Sequence, residues 1–134
     1  MTWHKIRAKS EPTGAKCARI LLISNIVCFS ESLSQNGLSI HHIVAVNLLL
    51  QDMASFPSVN KAYVSHFDIN PPIRVCVEAP IEAKVSLSAI GKKPSAAAVS
   101  CSKIETMHVQ SISHWAPANI GPYSQATFVS NCTY

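Results

Sequence analysis

Three groups of residues in this chain have the types and spacing for chemistry. In the extended run from Ile73 to Ala79, Arg74, Cys76 and Glu78 stand at alternate positions, so their side chains share one face of a strand. Glu78 is placed to pair with Arg74 and mute it rather than to act as a base. Cys76 reads as a packed thiol, because no histidine is positioned by sequence to activate it. The second group, six histidines, has no metal spacing: His41 and His42 are adjacent and point to opposite faces of a strand, so no metal site is expected. The third is the cysteines, Cys17, Cys28, Cys76, Cys101 and Cys132. They are odd in number and contain no CxxC pair, which argues for a reducing compartment and against a zinc or disulfide framework.

What is missing also limits the chemistry. The 4 glycines stand at 14, 37, 91 and 121, too scattered for any phosphate cradle, so no nucleotide or other cofactor is expected in this chain. Net charge is +4, and the basic excess is front-loaded, with Lys5, Arg7, Lys9, Lys16 and Arg19 facing only Glu11. That cluster reads as part of a disordered basic N-terminus over 1–17 and not as a folded nucleic-acid face. The apolar run from Ile20 to Phe29 mimics a signal peptide. It is too short to span a membrane, carries Asn25 near its middle and lacks a small-x-small cleavage site, so a cytoplasmic protein is expected.

The elements that must position Arg74 and its neighbours follow from periodicity. With 134 residues, 48% hydrophobic and 13% charged, the chain has room for one domain, or one and part of another. Leu22, Ile26, Phe29 and Leu33 form a helical stripe that ends at Asn36-Gly37. Residues 43 to 50 read as a central strand. A second helix follows, with Ser55 as N-cap, Pro57 in the first turn, and Phe56, Val59, Tyr63 and Phe67 at helical spacing. After Asn70-Pro71-Pro72 come two extended runs, Ile73 to Ala79 and Ala83 to Ile90. In the second, Val85, Leu87 and Ala89 form a packed face.

Helix, strand, helix, strand, strand is most of an α+β split βαβ sandwich, incomplete for want of its opening hairpin, with helices on one face of a mixed sheet. The missing hairpin predicts an exposed sheet edge, marginal stability and association. A small-residue linker is expected over 92–103. Beyond it, over 104–134, lie a strand from Ile104 to Ile112 and a strand start at Thr127 to Val129.

Two passages resemble one family. Gly37-Leu38-Ser39, Val59-Asn60-Lys61-Ala62-Tyr63 and Pro72-Ile73-Arg74-Val75-Cys76-Val77-Glu78 resemble the Rid (YjgF-type, reactive-intermediate deaminase) family, with its chorismate-mutase-like fold. Trp115-Ala116-Pro117-Ala118-Asn119-Ile120-Gly121-Pro122-Tyr123-Ser124-Gln125-Ala126 resembles that family's opening signature. Its place after the other half suggests the end of one module (18–91) followed by the opening of a second, in preference to a circular permutation. That tandem wording is similar to the C-terminal region of the diphthine-ammonia ligase family. The similarity implies a fragment or truncated form of such a protein, whose ATP is bound outside this chain and whose partner is elongation factor 2.

The resemblance further implies a trimer-like assembly or other self-association, with pockets between subunits. It makes Arg74 a grip for a small carboxylate, Cys76 a pocket neighbour and Tyr123 a pocket wall. Arg74 is then either a ligand anchor or, if Glu78 pairs with it, a structural residue. Asn60 and Tyr63 recur in the family and read here as capping and packing. The deaminases' glutamate falls, in an ungapped pairing, on Ser86, which has no useful proton affinity near neutral pH. The chain is therefore expected to bind without catalysing, with imine deamination as the alternative.

Overall fold

A computed structural model describes residues 3–9, 18–67, 69–92, 104–129 and 132–133. Helix α1 runs over Ala18–Gln35. It ends as the Asn-Gly pair predicts: Gly37 takes φ 67°, its N–H donates to Ser34 O (3.0 Å), and the Leu38 N–H donates to Leu33 O (2.9 Å). Together these form a Schellman cap, and Leu33 and Leu38 are both buried in the core behind it. Gly37→Ala is expected to cost about 1 kcal/mol, because only glycine enters the left-handed region without strain, and thermal melts will read it as a lower midpoint.

Residues 3–9, expected to be part of a disordered terminus, instead form strand β1 (Trp3–Lys9). Strand β2 spans Ile43–Leu50, α2 spans Phe56–Val64, β3 spans Ile73–Glu78 and β4 spans Val85–Lys92. The sheet order is β1-β4-β2-β3. β1 pairs antiparallel with β4, from Trp3↔Lys92 to Lys9↔Ser86. β4 is antiparallel to β2, and β2 is parallel to β3 across the α2 connection. β1 thus covers the β4 edge that was expected to be open, and among the described residues β3 forms the other end of the sheet.

Buried Val46, Leu48 and Leu50 of β2 and Val85, Leu87 and Ala89 of β4 join Ile26, Phe29 and Leu33 of α1 and Val59, Ala62 and Tyr63 of α2 in one cluster. Both helices therefore lie on one face of a mixed sheet, as expected. On the other face Asn47, Ser86 and Ser88 are only partly covered or exposed.

Local details differ from the sequence reading. Ser55 makes no side-chain cap. Asp52 instead caps the 3-10 turn Met53–Ser55 that leads into α2, accepting from the Ala54 N–H at 2.8 Å. The helix ends at Val64, yet Phe67 beyond it still stacks on Tyr63 at 4.3 Å between ring centroids. Lys92, expected to begin a linker, is the last residue of β4; the remainder of 92–103 lies outside the described residues.

A second, three-stranded sheet contains β5 (Ile104–Met107), β6 (Ala126–Val129) and β7 (Cys132–Thr133). β5 stops well short of Ile112. The reason is Gln125, whose side-chain amide accepts from the Val109 N–H (2.9 Å) and donates to Val109 O (3.0 Å), taking the groups a continuing strand would need.

Candidate ligand site at Arg74

Arg74 lies on β3 opposite Val46, and Cys76 lies opposite Leu48, so both project toward the helices. The Arg74 guanidinium carbon sits 4.6 Å from the Tyr63 ring centroid, 5.5 Å from Tyr123 and 5.7 Å from Phe56. Two rings come from the α2 segment. The third comes from the loop that leads into β6, so residues from both halves of the chain meet on one cation. Glu78 does not pair with it: its carboxylate Oε2 accepts from the Met53 N–H at 2.8 Å, 25 residues away in sequence. Arg74 Nε and NH1 are buried without a hydrogen-bond partner. The structural ion pair expected from strand parity is therefore absent, because the start of the 3-10 turn takes the carboxylate first.

The loop that brings Tyr123 is tied down by amides. Asn119 donates from Nδ2 to Gly121 O (2.5 Å) and Tyr123 O (2.7 Å), and Gln125 donates to Pro117 O (2.9 Å). Ser124 anchors the loop to the first half of the chain, with its N–H donating to Pro72 O (3.2 Å) and its hydroxyl to Pro71 O. A methyl group at Gly121 would stand 3.0 Å from Arg74 NH2, so glycine is what lets the loop lie against the guanidinium. Asn119 and Gln125 were not singled out from the sequence. Their signal was an amide at each end of a Pro- and Gly-punctuated stretch.

Beside this cluster runs a groove of about 710 Å³. Its walls include Asn60 and Ser65 of the α2 region and His108, Gln110, Asn119 and Gly121 of the loop. Asn60 does not cap: its Oδ1 is buried without a partner, as is His108 Nδ1. Tyr63 is fully buried as expected, but its ring also forms the floor under Arg74.

The electrostatics follow from burial. Desolvation pulls the Arg74 guanidinium below its ordinary value, partly countered by Tyr63, Cys76 and Tyr123. Burial pushes the Cys76 thiol up, with Arg74 countering, which leaves a thiol and no ready thiolate. Burial also raises the Tyr63 hydroxyl far above its usual range. Ser86 pairs with Leu49 across the sheet, on the face away from Arg74, so even a carboxylate there would not reach the guanidinium of its own subunit. Among the described residues no group of three or more His, Cys, Asp or Glu can hold a metal. No helix there is long and apolar enough to cross a membrane.

Comparison with known proteins places this arrangement. Residues 23–86 match the family described as endoribonuclease L-PSP. These residues form a Rid-family domain. The chain is 34% identical over 111 residues to the diphthine-ammonia ligase of Saccharomyces cerevisiae, covering 76% of this chain and 16% of that protein. It is 38% identical over 100 residues to the diphthine-ammonia ligase of Schizosaccharomyces pombe, covering 72% of this chain and 15% of that protein. The chain thus spans about a sixth of the length of these curated relatives.

Solved structures share the Rid fold. Yeast Mmf1 superposes with a TM-score of 0.57 at 23% identity, covering 60% of this chain and 66% of that one. A YjgF-family protein of Neisseria meningitidis, NMB1025, gives 0.57 at 20% identity, covering 69% and 78%. The Rid matches and the α+β architecture with both helices on one face agree with the fold expected from sequence.

Proposed function

We propose that this chain supplies a Rid-like carboxylate-binding and assembly module to a diphthine-ammonia ligase-like protein, and that it binds its ligand without turning it over. The observation that carries this reading is the Arg74 guanidinium, half-buried among three rings, with Nε and NH1 lacking partners and no carboxylate of the described residues bonded to it. A buried cation with open donors is costly unless an anion completes it, and a planar guanidinium accepts a carboxylate bidentately. The aromatic walls exclude water and strengthen that bond. The groove shares Gly121 with this cluster, and Gly121 lies against the guanidinium.

In this reading the parent activity, ATP-dependent amidation of diphthine on elongation factor 2 in the cytoplasm, draws its phosphate chemistry from outside this sequence, whose 4 glycines are scattered. The sequence is accordingly a fragment or truncated form of such a protein, and it self-associates as the resemblance implies.

Imine deamination is the second reading. It requires a positioned acid-base group worth about 10²- to 10⁴-fold in rate. Ser86 is on the wrong face, and Cys76 and Tyr63 are both held protonated. Two measurements on the full chain separate these readings. Calorimetric titration with pyruvate is expected to show binding. Incubation with an imine generated from an amino acid is expected to release ammonia no faster than buffer. Arg74-dependent ammonia release would put deamination first, and a flat titration with a panel of small carboxylates would end the ligand reading.

A further inference from the structure

The groove beside the Arg74 cluster carries polar atoms that carboxylate binding leaves unused. It encloses about 710 Å³, room for a small organic molecule. Part of its wall comes from α2 and the residues just after it, and part from the chain between β5 and β6. No aspartate, glutamate, lysine or arginine is among the described residues that line it. A neutral occupant therefore suits it better than an ion.

Two atoms of the lining residues, Asn60 Oδ1 and His108 Nδ1, are buried and have no hydrogen-bond partner among the described residues. Their polarity can be assigned. Asn60 Oδ1 is a carbonyl oxygen and only accepts. His108 Nε2 stands 2.9 Å from Gln110 Nε2, and an amide nitrogen only donates, so the ring accepts through Nε2 and carries its proton on Nδ1. The groove thus has one unmatched acceptor and one unmatched donor.

The backbone behind each of them is already fixed. Val109, between His108 and Gln110, donates its N–H to Gln125 Oε1 (2.9 Å), and its carbonyl accepts from Gln125 Nε2 (3.0 Å) and the Asn119 N–H (3.2 Å). Asn60 stands in the middle of α2, where its neighbours Val59 and Tyr63 are fully buried. Little ordering is left for a ligand to impose.

We propose that this groove binds a small neutral molecule through a carboxamide, whose carbonyl accepts from His108 Nδ1–H and whose N–H donates to Asn60 Oδ1. A carboxamide carries one group of each kind on adjacent atoms and bears no charge. A carboxylate would oppose Asn60 with a second acceptor, an ammonium has no acceptor, and a hydroxyl must serve both from one oxygen. Val64, Phe67, Pro71 and Pro122 add apolar surface, so the amide is one attached to an apolar body. The site is separate from the carboxylate reading, since the rings about Arg74 come from Phe56, Tyr63 and Tyr123.

The test is a ligand-observed NMR titration of the full chain with N-methylbenzamide, for which saturable binding is expected. Asn60→Leu and His108→Phe each remove one of the two atoms while keeping the bulk. Each is expected to weaken the amide about three- to ten-fold, the worth of one neutral hydrogen bond. Each also removes an unmatched buried polar atom, so the melting temperature is expected to hold or rise.

Methyl benzoate replaces the amide N–H by an ether oxygen at nearly the same shape. It is expected to bind the native chain more weakly than the amide and the Asn60→Leu chain equally well, which ties the N–H to Asn60. Saturating pyruvate is expected to leave the amide bound, whether or not Arg74 takes the pyruvate. No saturable binding, binding that survives both substitutions, an ester that matches the amide on the native chain, or displacement by pyruvate would overturn the proposal.

Discussion

Arg74→Met is expected to abolish carboxylate binding while leaving the melting temperature unchanged or higher. The two effects separate because this cation has partners only for its faces. Three aromatic rings hold the guanidinium plane, but Nε and NH1 have no acceptor, so in the free protein its desolvation is only partly compensated. Methionine keeps the apolar stem and its contacts with Phe56 and Tyr63 and removes the buried charge. Hydrogen bonds to a charged group are worth about 1.5–3 kcal/mol each, so losing even one weakens a carboxylate ligand by roughly 10- to 100-fold. Calorimetry and a thermal melt on the same sample test both halves. A melting temperature several degrees lower would mean that the cation is structural after all.

Tyr63→Ala is expected to unfold the domain at physiological temperature. Tyr63 is fully buried, stacks on Phe67 and underlies Arg74, so truncation opens a cavity where α2 meets the sheet. Truncating a buried aromatic costs about 3–5 kcal/mol, a large share of the roughly 5–15 kcal/mol that holds a domain together. Tyr63→Phe has the opposite outcome. The hydroxyl is buried without a partner, so removing it is expected to be neutral or stabilising.

The pH dependence follows from the same group. Burial raises the Tyr63 hydroxyl far above its ordinary value of 10. Above pH 10 the unfolded chain therefore releases a proton that the folded chain keeps, and the contribution of Tyr63 to stability falls as pH rises past that point. Urea melts between pH 8 and 11 should show a steeper alkaline loss for the native sequence than for Tyr63→Phe. Parallel curves would contradict the assignment.

The helices and the three strands around Arg74 were legible because each carries its own periodicity. The Leu22 to Leu33 stripe, the Asn36-Gly37 stop and the Val85, Leu87, Ala89 alternation all follow local rules. β1 was hidden by its charge. Lys5, Arg7 and Lys9 look like a solvated tail, although the same alternation suits an edge strand. The site was only half legible. Strand parity placed Arg74, Cys76 and Glu78 on one face, but which acceptor or donor claims Glu78 is decided by Met53, and no local pattern announces that contact. The meeting of Tyr123 with Arg74 is a long-range contact, invisible to periodicity. The position of Ser86 could have been read: its neighbours Val85 and Leu87 are core, so residue 86 must face away from the helices.

β1 also bears on the order of assembly. It is made before the other strands of its sheet, yet its one strand partner among the described residues is β4, beginning with Trp3 beside Lys92. While the intervening chain is made, β1 has no ladder to join, and closing so long a loop is among the slower steps a chain takes. α1, β2, α2 and β3 can form around their own core in that interval, since the core cluster draws on them and on β4. Of the four strands of this sheet, the earliest made is thus the last to find its place. Until it does, the sheet ends at β4 instead of at the basic strand β1.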